Sequence, residues 1–84
     1  MDDQELKKRV LTVLKSIAPE VDEAELVSDR PLRSQVDLDS MDWLNVLIGI
    51  HQDLAIDIPE ADYAKLVTLD DLVAYCAKRL KSAR

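Results

Sequence analysis

Residues 36–47 read VDLDSMDWLNVL and decide the fold of this chain. An Asp-Ser pair directly before an apolar helical pattern is typical of a helix start, because side-chain oxygens there accept hydrogen bonds from unpaired backbone N–H groups. The pattern predicts a helix that begins at Asp39 or Ser40 and ends near Leu54. Its core-facing stripe consists of Trp43, Val46, Leu47, Ile50 and Leu54.

The same helix carries a second apolar stripe, which consists of Met41, Leu44 and Ile48. A chain of this size cannot readily bury both stripes. The second stripe therefore either docks onto partner proteins or is covered by the long loop that precedes the helix.

The N-terminal residues predict a first helix of about three turns. Asp2 or Asp3 caps its start, and Ala18-Pro19 ends it because Pro disfavours helix in the residue before it. Its apolar face consists of Leu6, Val10, Val13, Leu14 and Ile17.

Residues 19–38 lack a sustained period, so we expect a long loop pinned to the core. A short helical turn is expected between Pro19 and Leu26, and extended chain at Arg30-Pro31. The expected pins are Leu26, Leu32, Val36 and Leu38.

Two helices follow in the C-terminal part. Pro59 suits the first turn of a short one that covers about residues 61–66. Thr68 opens the last helix, and Asp71 stands where a capping box places its acid. The prediction is an all-α four-helix bundle, with three longer helices and one short helix.

The composition limits the class of protein. The 84 residues predict a single domain, 1–84, and one Gly with three Pro argues against an all-β fold. One cysteine permits no internal disulfide and fits a reducing compartment, which predicts a cytoplasmic location. No apolar run is long enough to cross a membrane, and the charged first twenty residues are unlike a signal peptide.

The charge is uneven along the chain. Residues 20–75 contain fourteen acidic and three basic residues, whereas the whole chain has a net charge of −6. Such an acidic body disfavours nucleic acid as a partner and favours basic protein surfaces. The acidic clusters lack the ordered ligand spacing of a calcium loop, so no structural metal is expected.

Ser40 has three possible roles: helix cap, catalytic nucleophile or attachment point. A nucleophile needs a base within hydrogen-bond reach. His51 is the only histidine and lies eleven residues along the same predicted helix, which is about 16 Å away at 1.5 Å per residue. A Ser–His couple within this helix is therefore excluded, and we expect no enzyme. The first turn of the helix favours a phosphate group, because its N–H groups and dipole are positive.

The chain resembles an acyl carrier protein over nearly its whole length. The resemblance is carried by VDLDSMDWLNVL at 36–47, DLAIDIPE at 53–60 and KLVTLDDLVAY at 65–75. An Asp-Ser pair alone is a weak signal, whereas the ordered set in a small acidic chain is specific. The resemblance implies a helical bundle with 4′-phosphopantetheine attached to the serine of an Asp-Ser-Leu motif, by a phosphopantetheinyl transferase that uses coenzyme A and Mg²⁺.

By this resemblance, Ser40 is the attachment site, Asp39 assists the transferase and its metal, and Met41 enters a hydrophobic pocket of a partner. The partners are the transferase and acyl-loading, condensing or acyl-transfer enzymes, and the carrier is a monomer. The implied docking residues are Met41, Asp42, Leu44, Asn45, Ile48, His51 and Gln52. The implied acyl pocket consists of Val46, Ile50, Leu54, Ile58, Leu66 and Leu72.

The chain also departs from the family pattern. Asp37 stands where Gly is usual, Met41 replaces Leu, and Trp43 is unusual. Asn45, His51 and Gln52 stand where acids are common, which weakens attraction to basic enzymes. These departures predict a specialised carrier that serves a dedicated pathway, and the resemblance implies that this pathway belongs to fatty acid or related lipid biosynthesis. Two alternatives stay open: a carrier of aminoacyl or polyketide units, and an unmodified helical interaction module in which Ser40 only caps.

Overall fold

The computed structural model describes residues 2–82, without the side chain of Ser82, and these residues are helical with no extended strand. The four α-helices are α1 (Asp3–Ile17), α2 (Leu32–Gln35), α3 (Ser40–Leu54) and α4 (Leu69–Ser82), and two 3₁₀ helices cover Glu23–Glu25 and Glu60–Lys65. The three long helices α1, α3 and α4, together with the short 3₁₀ helix between α3 and α4, confirm the predicted all-α four-helix bundle.

The helix starts follow the predicted capping chemistry. The Asp2 carboxylate accepts a hydrogen bond from the Glu5 N–H at 2.8 Å, and α1 ends as the Ala18 N–H bonds to Leu14. The face of α1 is rotated slightly from the prediction. Leu11 is buried, whereas Val13 and Ile17 are half-buried against the core.

The loop between α1 and α3 is organised by the side-chain amide of Gln35. Its Oε1 accepts from the Val27 N–H at 2.7 Å, and its Nε2 donates to the carbonyls of Val27 at 2.9 Å and Arg30 at 3.0 Å. Pro31 is extended, as predicted, but it caps the single turn of α2, which the sequence did not predict. The Leu32 N–H then bonds to the Val67 carbonyl at 3.0 Å, which ties the loop to the start of α4.

The helix α3 packs closely on α1. A Cβ atom built on Gly49 would lie 2.7 Å from Val13 Cγ1, so a side chain at this position would require the Val13 side chain to move. Arg9 of α1 also binds the end of α3, with 2.8 Å from its Nε to Asp53 Oδ2 and 3.2 Å from Nη2 to the Asp53 carbonyl. The hydrogen bond from this guanidinium lowers the pKa of the Asp53 carboxyl.

One apolar cluster forms the core, and it is aliphatic apart from Trp43 and the Cys76 thiol. All five residues of the predicted α3 stripe are buried in it. Of the four expected loop pins, Leu32, Val36 and Leu38 are buried and Leu26 is half-buried. The hydrophobic pattern therefore predicted correctly the inward face of α3 and three of the four buried loop contacts.

The segment between α3 and α4 is held by a polar network on the surface. The Tyr75 hydroxyl donates to Asp62 Oδ2 at 2.7 Å, and Arg79 Nη2 donates to the same oxygen at 3.0 Å. Arg79 Nε also donates to the Tyr75 hydroxyl oxygen at 3.1 Å. Because Asp62 belongs to the second 3₁₀ helix and the other two residues belong to α4, this network attaches the short helix to the bundle.

Candidate functional site

Ser40 is the first residue of α3, and its neighbour Asp39 performs the capping. Asp39 is extended, and its Oδ1 accepts from the Asp42 N–H at 2.8 Å. Ser40 is exposed, and its hydroxyl has no hydrogen-bond partner among residues 2–82. The structure therefore presents a free hydroxyl at the end of α3 where backbone N–H groups lack intrahelical partners.

Within the described part of the chain, no histidine stands near Ser40. His51 lies in the last turn of α3, where its Nδ1 contacts the Ile56 carbonyl oxygen. The ring thus closes the far end of the helix, which Ala55 terminates in the left-handed conformation with φ 53°. The geometry therefore excludes a Ser–His couple between Ser40 and His51.

The second apolar stripe of α3 remains uncovered by the loop. Met41 is 66% exposed and Ile48 is 40% exposed, while Leu44 is half-buried. The other residues assigned to docking lie along the same helix: Asn45, His51 and Gln52 are exposed, and Asp42 is half-buried. The structure brings the seven residues onto one helix, and their role in docking stays a prediction.

Ser40 opens onto a cleft of about 340 Å³ between α3, α2 and the second 3₁₀ helix, which we call the Ser40 cleft. Besides Ser40 it is lined by Arg33, Trp43, Leu44, Leu47, Glu60 and Tyr63. Arg33 is positioned by a long hydrogen bond of 3.4 Å from its Nε to the Leu38 carbonyl. The cleft combines an apolar and aromatic wall with one cation and one anion.

The sequence did not identify Arg33, Glu60 and Tyr63 as site residues. They come from three positions outside α3, in segments with no helical period that could orient them. The one signal was Tyr63, an aromatic residue in an otherwise polar short segment.

The six residues assigned to the acyl pocket are all buried in the core. Leu66 lines a second cleft, described below, whereas the other five line neither that cleft nor the Ser40 cleft. Val46 and Ile50 are both 0% exposed and Leu72 is 1% exposed. Their role as an acyl pocket stays a prediction.

Residues 2–82 contain no group of three or more His, Cys, Asp and Glu side chains placed to hold a metal ion. None of their helices combines the length and the apolar character needed to cross a membrane.

A small helical bundle that displays one serine at a helix start, beside an apolar cleft, has the architecture of a carrier protein. Residues 8–76 match the family model described as a phosphopantetheine attachment site, and the chain belongs to this family of acyl carrier proteins. The prosthetic group of the family is covalently attached 4′-phosphopantetheine.

Two curated relatives are named as acyl carrier proteins. An acyl carrier protein of Thermotoga maritima is 26% identical over 77 residues, which cover 88% of this chain and 95% of the relative. A protein of Schizosaccharomyces pombe, provisionally named a mitochondrial acyl carrier protein, is 26% identical over 72 residues, which cover 86% of this chain and 64% of the relative. The phosphopantetheine-carrier role follows from this membership.

Proposed function

We propose that Ser40 carries the 4′-phosphopantetheine arm and that the chain presents acyl intermediates on it, as thioesters, to partner enzymes. One observation supports this assignment above the others. The Ser40 hydroxyl is exposed and free because the capping of α3 falls to Asp39. A serine that served only as a cap would direct its oxygen at a backbone N–H group.

The surroundings of Ser40 fit a phosphate ester. The first N–H groups of α3, before the Asp42 N–H that Asp39 caps, lack intrahelical partners and carry partial positive charge, and Arg33 lines the same cleft. Asp39 uses Oδ1 in the cap, so its Oδ2 remains to assist a transferase and its Mg²⁺. When attached, the arm supplies a thiol that forms the thioester. The chain itself holds the arm, docks onto partner enzymes and shelters the acyl group, and the partners perform the catalysis.

We further propose a dedicated pathway in fatty acid or related lipid biosynthesis. The exposed face of α3 carries Asn45, His51 and Gln52, so its attraction to basic patches of general fatty acid enzymes is reduced. The test compares turnover of this acylated chain and of a housekeeping carrier by housekeeping condensing and reductase enzymes. Equal turnover would contradict a dedicated pathway, and mass spectrometry of the cargo from the native cell would identify aminoacyl or polyketide units.

Intact mass spectrometry tests the attachment itself. The apo chain is incubated with coenzyme A, Mg²⁺ and a transferase of broad specificity, and wild type is expected to gain the mass of one phosphopantetheinyl group. Ser40→Ala is expected to gain nothing, with Ser34→Ala as the matched control at another exposed serine. A wild-type chain that no transferase modifies would leave an unmodified interaction module as the function.

Thiol titration gives an independent measure of loading. Cys76 is 0% exposed, and burial raises the pKa of its thiol to about 11. A thiolate is the reactive form, so the folded apo chain should react with no disulfide reagent at neutral pH, and the loaded chain with one equivalent. A fast reaction of the folded apo chain would contradict this.

The proposal extends to the domain organisation, the oligomeric state and the location of the chain. Residues 1–84 act as one carrier domain and as a monomer, and the chain catalyses no reaction of its own. A cytoplasmic location rests on the single cysteine. Size-exclusion chromatography with light scattering measures the oligomeric state, and localisation of the tagged chain in its own cell tests the compartment.

A further inference from the structure

A second cleft adjoins the Ser40 cleft. It has a volume of about 270 Å³, and we call it the Val67 cleft. Its lining consists of Pro31, Arg33, Trp43, Tyr63, Ala64, Leu66 and Val67. Arg33, Trp43 and Tyr63 line both clefts, so the two spaces meet at these three side chains. Two of the three are aromatic, and they stand between Ser40 and the apolar end at Leu66 and Val67.

Trp43 and Tyr63 differ in how firmly they are held. Trp43 is 9% exposed and belongs to the core cluster, so it forms a fixed floor. Tyr63 is half-buried and packs against the core from the second 3₁₀ helix, and its hydroxyl makes no hydrogen bond to the described residues. Beneath the floor the core is closed, because Val46 and Ile50 are 0% exposed.

We propose that Trp43 and Tyr63 set the length of acyl chain that this carrier shelters, by separating the Ser40 cleft from the Val67 cleft. The inference rests on the proposed attachment at Ser40. Because the arm is long and flexible, its acyl end can return to the cleft beside its own attachment point. A short acyl chain is removed from water when it packs against Trp43, Leu44 and Leu47 in the Ser40 cleft. A longer acyl chain has to pass Tyr63 to reach the Val67 cleft.

The separation predicts a break in the dependence on chain length. Each methylene that leaves water raises the ratio of sheltered to exposed chain by about fourfold. Methylenes beyond the capacity of the Ser40 cleft stay in water and add nothing. Sheltering should therefore rise along a series of acyl groups and then level off, whereas a continuous trough would let it rise further.

Trp43 is the only tryptophan, so its emission reports directly on the cleft. The holo chain is loaded with acetyl, butyryl, hexanoyl, octanoyl or decanoyl groups, and mass spectrometry confirms each loading. In wild type, the emission maximum should shift stepwise with chain length and reach a plateau before decanoyl. In Tyr63→Ala, which joins the two clefts, the plateau should move at least one member further along the series.

Two variants control for other causes of a change. Tyr63→Phe keeps the ring and should keep the wild-type profile. Val73→Ala removes a half-buried core side chain of α4 that lines neither cleft, and it should lower stability without moving the plateau. Trp43→Leu gives a second readout, because longer acyl groups should gain protection of the thioester against hydroxylamine, relative to wild type.

The outcomes separate this inference from the proposed function. A wild-type chain that gains no phosphopantetheinyl mass defeats the attachment at Ser40. A chain that is loaded but shows the same profile in wild type and Tyr63→Ala, or an equal shift of the plateau in Val73→Ala, overturns the role of Tyr63. An emission maximum that does not respond to any acyl group overturns the use of the cleft.

Discussion

Thr68 caps α4, directly before its first residue Leu69, and its hydroxyl is engaged, whereas Ser40 is the first residue of α3 and its hydroxyl is displayed. Thr68 Oγ1 accepts from the Asp71 N–H at 3.0 Å, and Asp71 Oδ2 accepts in return from the Thr68 N–H at 3.1 Å. In α3 the same cap position is occupied by the carboxylate of Asp39, and the hydroxyl belongs to the next residue, Ser40. The difference shows how a helix start releases a hydroxyl: a carboxylate before it takes over the cap.

The surroundings of the two helix starts also differ: polar groups are engaged in contacts at the start of α4 and are exposed at the start of α3. At α4, the Leu32 N–H binds the Val67 carbonyl and the Asp70 N–H binds the Ser28 carbonyl, each at 3.0 Å. The start of α4 is thus a junction where the long loop is attached. At α3, Ser40 faces an open cleft and solvent. The polar groups of one helix start hold the fold together, and those of the other are available to a partner.

The largest expected effect comes from removing each hydroxyl in turn. Ser40→Ala should abolish phosphopantetheine loading completely and change the free energy of unfolding by less than about 0.5 kcal/mol, as expected for an exposed group without a partner. Thr68→Ala should lower the free energy of unfolding by about 1 kcal/mol, within a range of roughly 0.5–2, and leave loading intact. Urea unfolding and intact mass measure the two quantities.

Thr12→Ala is the matched control for the second variant. The Thr12 hydroxyl donates to the Lys8 carbonyl at 2.9 Å within α1 and caps nothing. Its loss should be neutral or slightly stabilising, because Ala is the better helix former. Should Ser40→Ala destabilise as much as Thr68→Ala does, the two helix starts would not differ as the structure indicates.

A smaller effect separates the two tasks of Asp39. Asn caps a helix about as well as Asp, so Asp39→Asn should keep the free energy of unfolding within about 0.5 kcal/mol of wild type. Loading should become slower, because the charge that assists the transferase and its Mg²⁺ is lost. Initial rates of loading at saturating coenzyme A test this expectation.

Asp2→Asn provides the comparison for Asp39→Asn. Asp2 caps α1 with the same geometry, through a 2.8 Å hydrogen bond to the Glu5 N–H, and it caps a different helix from the one that Ser40 begins. Its substitution should leave the loading rate unchanged. Equal rates in Asp39→Asn and wild type would assign Asp39 to the cap alone.

The same contrast marks what the sequence reveals. Helical spacing and capping residues predicted α1, α3 and α4, because these depend on contacts within one helix, whereas the attachment role of Ser40 came from the family resemblance. The walls of the Ser40 cleft escaped prediction, since Arg33, Glu60 and Tyr63 are brought together by tertiary packing of segments without a period. α2 escaped for a related reason: its single turn follows a proline and depends on the hydrogen bond between Leu32 and Val67.

The helical spacing of apolar residues predicts which side chains face inward, but it does not predict how those side chains fill the interior. The resemblance to acyl carrier proteins assigned Val46, Ile50 and Leu72, all on inward-facing stripes, to an acyl pocket, and they lie in a closed core. Trp43 belongs to the same inward stripe, yet it reaches the surface and lines both clefts. The large size of the Trp43 side chain, which the periodicity of apolar residues does not reveal, decides where the two clefts lie.

The smallest expected effect depends on pH and concerns the network that holds the second 3₁₀ helix on α4. The Tyr75 hydroxyl first, and then the Arg79 guanidinium and the Lys65 ammonium, lower the pKa of the Asp62 carboxyl from its ordinary value of 3.8. A carboxyl whose pKa is lower in the folded than in the unfolded chain stabilises the fold above its unfolded pKa. That contribution disappears as the pH falls through the lower, folded value.

Asp62→Asn should therefore reduce the free energy of unfolding at pH 7, and its difference from wild type should shrink toward pH 3. Urea titrations at both pH values measure this difference. Asp57→Asn serves as the control, because the exposed Asp57 carboxylate has no hydrogen-bond or ion-pair partner among residues 2–82. Loading at Ser40 should be unaffected by Asp62→Asn at pH 7, because Asp62 does not line the Ser40 cleft. A difference that stays constant or grows at low pH would mean that packing by Tyr75 and Arg79, rather than the charge of Asp62, holds the short helix in place.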